Sequence, residues 1–215
     1  MVNGYENFDN SEMNFRSDTL IQERIGLVST HMYKQFLDYQ NATMNTNRIF
    51  KEIVQDMNSI VESLKKSFSS RGVSVQNNIY YECDPSKTIA IINILWQTIS
   101  LTTRCNFEPQ ALFREGKQRA IYSRIMAVRG NCNELIRGIE DKNELMNCLL
   151  ANEIASLYIP ADDMQNAVFT IRHLGNKEFY LNSQDVAKEF ILKVIEIVCG
   201  GGSYHKEEAM PNFSN

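Results

Sequence analysis

The sequence predicts a mostly α-helical fold, a single-domain helical bundle of six to eight helices with one small β-hairpin attached. Three observations carry this expectation. Apolar residues recur at spacings of three and four over long stretches, as on one face of a helix. Ten Gly and four Pro are few for 215 residues, whereas a many-turned β protein needs turn residues at short intervals. The most apolar run, 89–101, is hydrophobic on nearly every side, as expected of a helix in the middle of a bundle.

The elements follow in order. Residues 1–18 carry Glu6, Asp9, Glu12 and Asp18 against Arg16 and read as an acidic, flexible N-terminal segment. A helical domain is expected over 19–199. Thr19 with Gln22 forms a capping box, and the stripe Ile21, Ile25, Val28, Met32, Phe36, Tyr39 follows. A second stripe runs Phe50, Val54, Met57, Val61, Leu64, Phe68, accompanied by Ile49, Ile53 and Ile60. Two arrangements of 19–69 satisfy both stripes. One is an antiparallel hairpin turning near Asn45; the other is a coiled-coil-type rod of about 50 residues, reaching about 75 Å. Residues 73–82 read as a strand or hairpin, with Asn77 and Asn78 suited to a tight turn. Lys177 to Leu181 reads as a second strand.

From 84 to 199 the expectation is core helices. Asp84 followed by Pro85 is a capped helix start, and the helix to Thr103 would bury Trp96 at the centre of the fold. Pro109 starts a helix that Gly130 ends. Asn131 with Glu134, and Asp141 with Glu144, mark two further N-termini. Helices are expected over 142–159, ending at Pro160, over 162–174, and over 183–199, closed by Gly200. The glycines and polar residues of 200–215 read as a disordered tail.

Composition narrows the function. A net charge of −4 argues against a general nucleic-acid or anionic-membrane binder. The 89–101 run is too short to span a bilayer, so no membrane association is expected. The five cysteines are widely spaced without a C-x-x-C pair, which favours free thiols in the cytoplasm over disulfides or a zinc site. Abundant Asn, Ile and Lys suggest an AT-rich genome, as in a phage or bacterium. No Gly-rich phosphate cradle is present, and no metal or other cofactor is expected; Asp162 and Asp163 read as helix-start carboxylates and His173 as a helix-end cap.

Two function classes remain. The first, favoured, is a non-enzymatic assembly or adaptor protein, a homo-oligomer or partner binder. Its contact face would be Phe50, Val54, Met57 and Val61, because the apolar positions of 21–68 fill more than one helix face. The second class acts on nucleic acid. Its binding surface would be the basic segment 104–137, where Arg114, Lys117, Arg124 and Arg129 fall in one sector of a helix of about 140°. Arg24 followed at seven residues by His31 also resembles the Arg-x-His motif of HEPN-type ribonucleases. That resemblance implies a His assisting 2′-hydroxyl attack and an Arg steadying the phosphate. The family places its motif after several helices and this chain places it near the start, so we read the pair as exposed helix-face residues and assign no catalytic residue.

Overall fold

The computed structural model describes the backbone of 10–106, 110–112, 120–161, 168–171, 177–180 and 185–200, and side chains within 19–106, 122–161, 170 and 185–200. The chain divides into two compact units, Met1–Asp38 and Tyr39–Asn215. Helix α1 (Asn10–Ser69) begins in the first and ends in the second.

The second unit is built on an antiparallel sheet, which overturns the helical bundle and the all-α character expected with it; of the two arrangements expected for 19–69, α1 is the single continuous helix and not the hairpin. Its strands are β1 (Ile79–Cys83), β2 (Ile89–Ile94), β3 (Gln97–Thr102), β4 (Gln110–Leu112), β5 (Ala120–Arg129), β6 (Glu153–Pro160), β7 (Val168–Ile171) and β8 (Lys177–Tyr180). They lie in the order β1-β2-β3-β5-β6-β7-β8, with β4 pairing β5 beyond the end of β3. Two helices, α2 (Cys132–Leu135) and α3 (Lys142–Ala151), connect β5 to β6. After β8 come α4 (Val186–Ile195) and a π-helical turn, Glu196–Gly200.

Alternation along the strands sorts the side chains into two cores. Ala90, Ile92, Ile99, Leu101, Ile125, Ala127, Leu157 and Ile159 face one way and pack with α1 and α4, through Phe50, Ile53, Met57, Phe190 and Val194. Ile89, Ile91, Met126 and Val128 face the other way and pack with α2 and α3, through Cys132, Ile136 and Leu149. Both faces of β2 and β5 are therefore covered among the described residues. This explains the failure over 89–101: a strand buried on both faces reads as an unbroken apolar run, indistinguishable by period from a buried helix. In place of a central helix, β2 and β3 form a hairpin with Ile94 opposite Gln97. Leu95 and Trp96 make its turn, Leu95 at φ 57, and Trp96 is 82% exposed rather than central.

The other expected helices fail for related reasons. Asp84 does not start a helix; its carboxylate closes the β1–β2 loop, accepting from the N–H groups of Thr88 (2.7 Å) and Ile89 (2.8 Å) and from the Ser86 hydroxyl. The stretch expected to be helical from Pro109 to Gly130 holds β4 and β5 instead. The helix from 142 stops at Ala151, because Asn152 caps it (side-chain amide to Cys148 O, 2.9 Å) and the chain turns into β6. Strand β7 lies where a helix over 162–174 was expected.

Candidate functional site

Two features stand out from a well-covered core: an apolar line on α1 and a buried arginine on β5. By sequence spacing, Ile21, Ile25, Val28, Met32 and Phe36 fall within about 80° of helix circumference. All five are 49% to 63% exposed. The four residues expected to bind a partner behave differently. Phe50, Met57 and Val61 are buried and Val54 is half-buried, and all four belong to the core under the sheet. The apolar surplus of α1 therefore sits on 20–37, joined there by Leu20, Leu27, Tyr33 and Leu37. Arg24 and His31, both exposed, flank this line, Arg24 at the border of an open apolar recess that runs along it, and Asp38 continues their row at the same seven-residue step.

The basic segment is dispersed. Arg114 and Lys117 lie outside the described residues. Arg124 and Arg129 share β5, not a helix, and their five-residue separation sends them to opposite faces of the sheet. Arg129 is exposed at the strand end, its Nη1 3.5 Å from Gln97 Oε1. Arg104 reaches back to the β1–β2 loop, 3.6 Å from the Asp84 carboxylate. Burial opposes ionisation of that carboxylate, but its hydrogen bonds from Ser86, Ile89 and Thr88 outweigh burial and hold its pKa below the usual range.

Arg124 is only 5% exposed, on the face of the sheet that α3 covers. Its backbone is pinned by Asn106, whose side-chain amide bridges the gap between β3 and β4. Arg124 N–H donates to Asn106 Oδ1 (2.7 Å), and Asn106 Nδ2 donates to Arg124 O (2.8 Å). The guanidinium meets neutral groups. Nη1 donates to the Tyr158 hydroxyl (3.3 Å), Nη2 lies 3.2 Å from Met146 Sδ, and the charged carbon sits 5.7 Å from the Tyr158 ring centre. Nε has no hydrogen-bond partner. Burial works against the charge, yet attraction to the Cys105 side chain, which is anionic only in the alkaline range where an arginine titrates, and to Tyr158 outweighs burial and raises the pKa. The Cys105 thiol is itself pushed up by burial, and that of Cys132 to about 11, so both are neutral at physiological pH. Among the described residues no carboxylate pairs with Arg124. Tyr158 stands directly across from Arg124 in the β5–β6 register, a pairing that helical spacing does not reveal.

Comparison with protein-family models, curated proteins and solved structures gave no match for this chain. Among the described residues no helix is long and apolar enough to cross a membrane, and no three His, Cys, Asp or Glu side chains converge as metal ligands.

Proposed function

We propose that this is a non-enzymatic assembly protein that pairs with a second copy of itself through 20–37 of α1. The observation that supports the reading is the line Ile21, Ile25, Val28, Met32, Phe36, half-exposed at every position. Isolated exposed apolar residues are ordinary, but a contiguous line of them marks an interaction surface. A second copy is favoured as the occupant by charge. With two copies antiparallel and crossing near residue 31, the flanking row Arg24, His31, Asp38 places each Arg24 beside the other copy's Asp38. A parallel pair would set Arg24 against Ser29 and gain nothing. Finishing the burial of each side chain is worth about 1 kcal/mol, or about 10 kcal/mol over two copies. That is comparable with an association cost of about 4 to 15 kcal/mol, so the pairing should be concentration-dependent. The five free cysteines fit a reducing, cytoplasmic setting. Light scattering should give a mass that rises towards twice the monomer at high micromolar concentration. Val28→Glu with Met32→Glu should return it to the monomer without lowering the melting temperature of the sheet unit. A monomer at every concentration would reject the proposal.

A further inference from the structure

Strand β1 is an end strand of the sheet, paired with β2 alone. Hydrogen bonds at its two ends show which way its backbone faces. Asp84 N–H donates to Ile89 O (2.9 Å) and Leu95 N–H to Asn78 O (2.7 Å), and the register between them is unbroken. Residues 78, 80, 82 and 84 therefore turn their polar groups toward β2, and Ile79, Tyr81 and Cys83 turn theirs away from the sheet. The Ile79 N–H is met by Val75 O (3.1 Å), but among the described residues the N–H and C=O of Tyr81 and Cys83 have no partner. Sheet edges are ordinarily blunted by Lys, Pro or a bulge. Strand β8, at the other edge, carries Lys177, whereas β1 has none of the three and is built largely of strand-favouring Ile and Tyr. A cleft of about 510 Å³ opens beside it, bordered by Glu82, Cys83, Ile91, Arg104 and Asn133. Glu82 stands opposite Ile91, so its side chain lies on the α2 face of the sheet, as this cleft does. The Asp84 carboxylate is occupied within its own loop, and Arg104 stands 3.6 Å from it. Glu82 is left as the cleft's carboxylate without an ion pair among the described residues.

We propose that the free edge of β1 binds an extended peptide, which adds as an antiparallel strand and carries Lys or Arg opposite Glu82. Backbone pairing of this kind supplies affinity, and the side chains that alternate along the added strand supply specificity. Tyr81 and Cys83 each offer a donor and an acceptor, so each exchanges both backbone hydrogen bonds with the peptide residue across from it. The peptide residue between those two faces Glu82 in the close, non-hydrogen-bonded position, with Cα atoms about 4.5 Å apart. Its side chain enters on the Glu82 side, where the cleft has room for a long cation. Glu82 and Asp84 against Arg104 leave the cleft net negative, so a cationic residue is matched there and an acidic one opposed. Two residues nearer the peptide's C-terminus the neighbour is Tyr80, an exposed ring that favours a β-branched residue across from it.

The test is fluorescence anisotropy of a labelled peptide, Thr-Val-Thr-Lys-Thr-Val-Thr blocked at both ends, titrated with the full chain. The proposal expects saturable binding. Replacing the central Lys by Glu should weaken it about fivefold or more, and Glu82→Lys, a change at an exposed position, should reverse that preference. N-methylation of the Thr that follows Lys removes the donor to Tyr81 O and should weaken binding about tenfold. N-methylation of the Lys itself, whose N–H points away from β1, should leave binding within about twofold. Absence of binding by the wild type, equal binding of the Lys and Glu peptides, or indifference to methylation after Lys each overturns the proposal. So does a doubled mass that persists in the Val28→Glu, Met32→Glu variant while the peptide stays unbound, because a second copy then holds the edge.

Discussion

The two ends of α1 carry the same apolar periodicity and opposite fates. Ile21, Ile25, Val28 and Met32 are half-exposed, whereas Phe50, Ile53 and Met57 are at most 2% exposed. By spacing, the two sets keep the same line along the helix. What separates them is a cover. Residues 49–61 have the sheet's Ile92, Ile99, Leu101 and Leu157 to pack on, and Asn45 is fastened to the carbonyls of Pro160 (3.1 Å) and Ala161 (3.2 Å). Periodicity therefore reports which face of a helix is apolar, but not what covers it, and a stripe left over after the core is complete is evidence about association.

Truncating one side chain at each end of α1 separates the covered line from the uncovered one. Ile53→Ala should cost about 2 to 5 kcal/mol in denaturant unfolding, because it empties fully buried volume. Ile25→Ala in dilute, monomeric protein should stay within about 0.5 kcal/mol. Equal losses would mean that the first line is covered by the chain itself.

Next in size is Asp84, which anchors the covered side by polar contacts. Asp84→Asn should destabilise by about 1 to 3 kcal/mol, since at least one backbone N–H loses an ionised acceptor in a part-buried loop. The folded pKa of Asp84 is depressed. Its contribution is therefore complete above the unfolded carboxylate value of about 4 and is lost as pH falls through the folded pKa. The gap between wild type and Asp84→Asn should close below about pH 4. A gap that widens in acid would contradict the assignment.

The smallest expected effect separates a stripe from a lone apolar residue. Trp96, at the β2–β3 turn, is more exposed than any residue of the helix line. Trp96→Ser should change stability by less than about 0.5 kcal/mol and leave the solution mass alone. The native emission of Trp96 should resemble hydrated indole; a blue-shifted, quencher-resistant signal would place it in a contact.

Local signals in the sequence were faithful where chemistry fixes them. Asn131 and Asp141 are N-caps, accepting from Asn133 N (3.0 Å), and from Asn143 N and Glu144 N (both 2.9 Å). Helix α4 and strand β8 also fall within stretches read as helix and strand. The sheet was not legible, for two physical reasons. Burial on both faces hid the two-residue period of β2 and β5. In β6, Ile154 and Leu157 happen to continue the helical spacing of Met146 and Leu150, with no Gly or Pro at the helix–strand switch. For the candidate sites, the composition of the helix line could be read, but its exposure depended on where the core ended. The isolation of Arg124 depended on knowing that Tyr158 is its cross-strand neighbour.

Antiparallel contact between 20–37 of two copies can be read by cysteine cross-linking in a Cys199→Ser background, which removes the exposed native thiol. His31→Cys lies at the crossing point, so two copies should cross-link readily under mild oxidation. Arg24→Cys should not, because an antiparallel pair puts the two introduced thiols about 21 Å apart along the helix, whereas adding Asp38→Cys should restore the link. Equal cross-linking at 31 and 24 would show a parallel pair, and none at 31 would show that no second copy lies on this face.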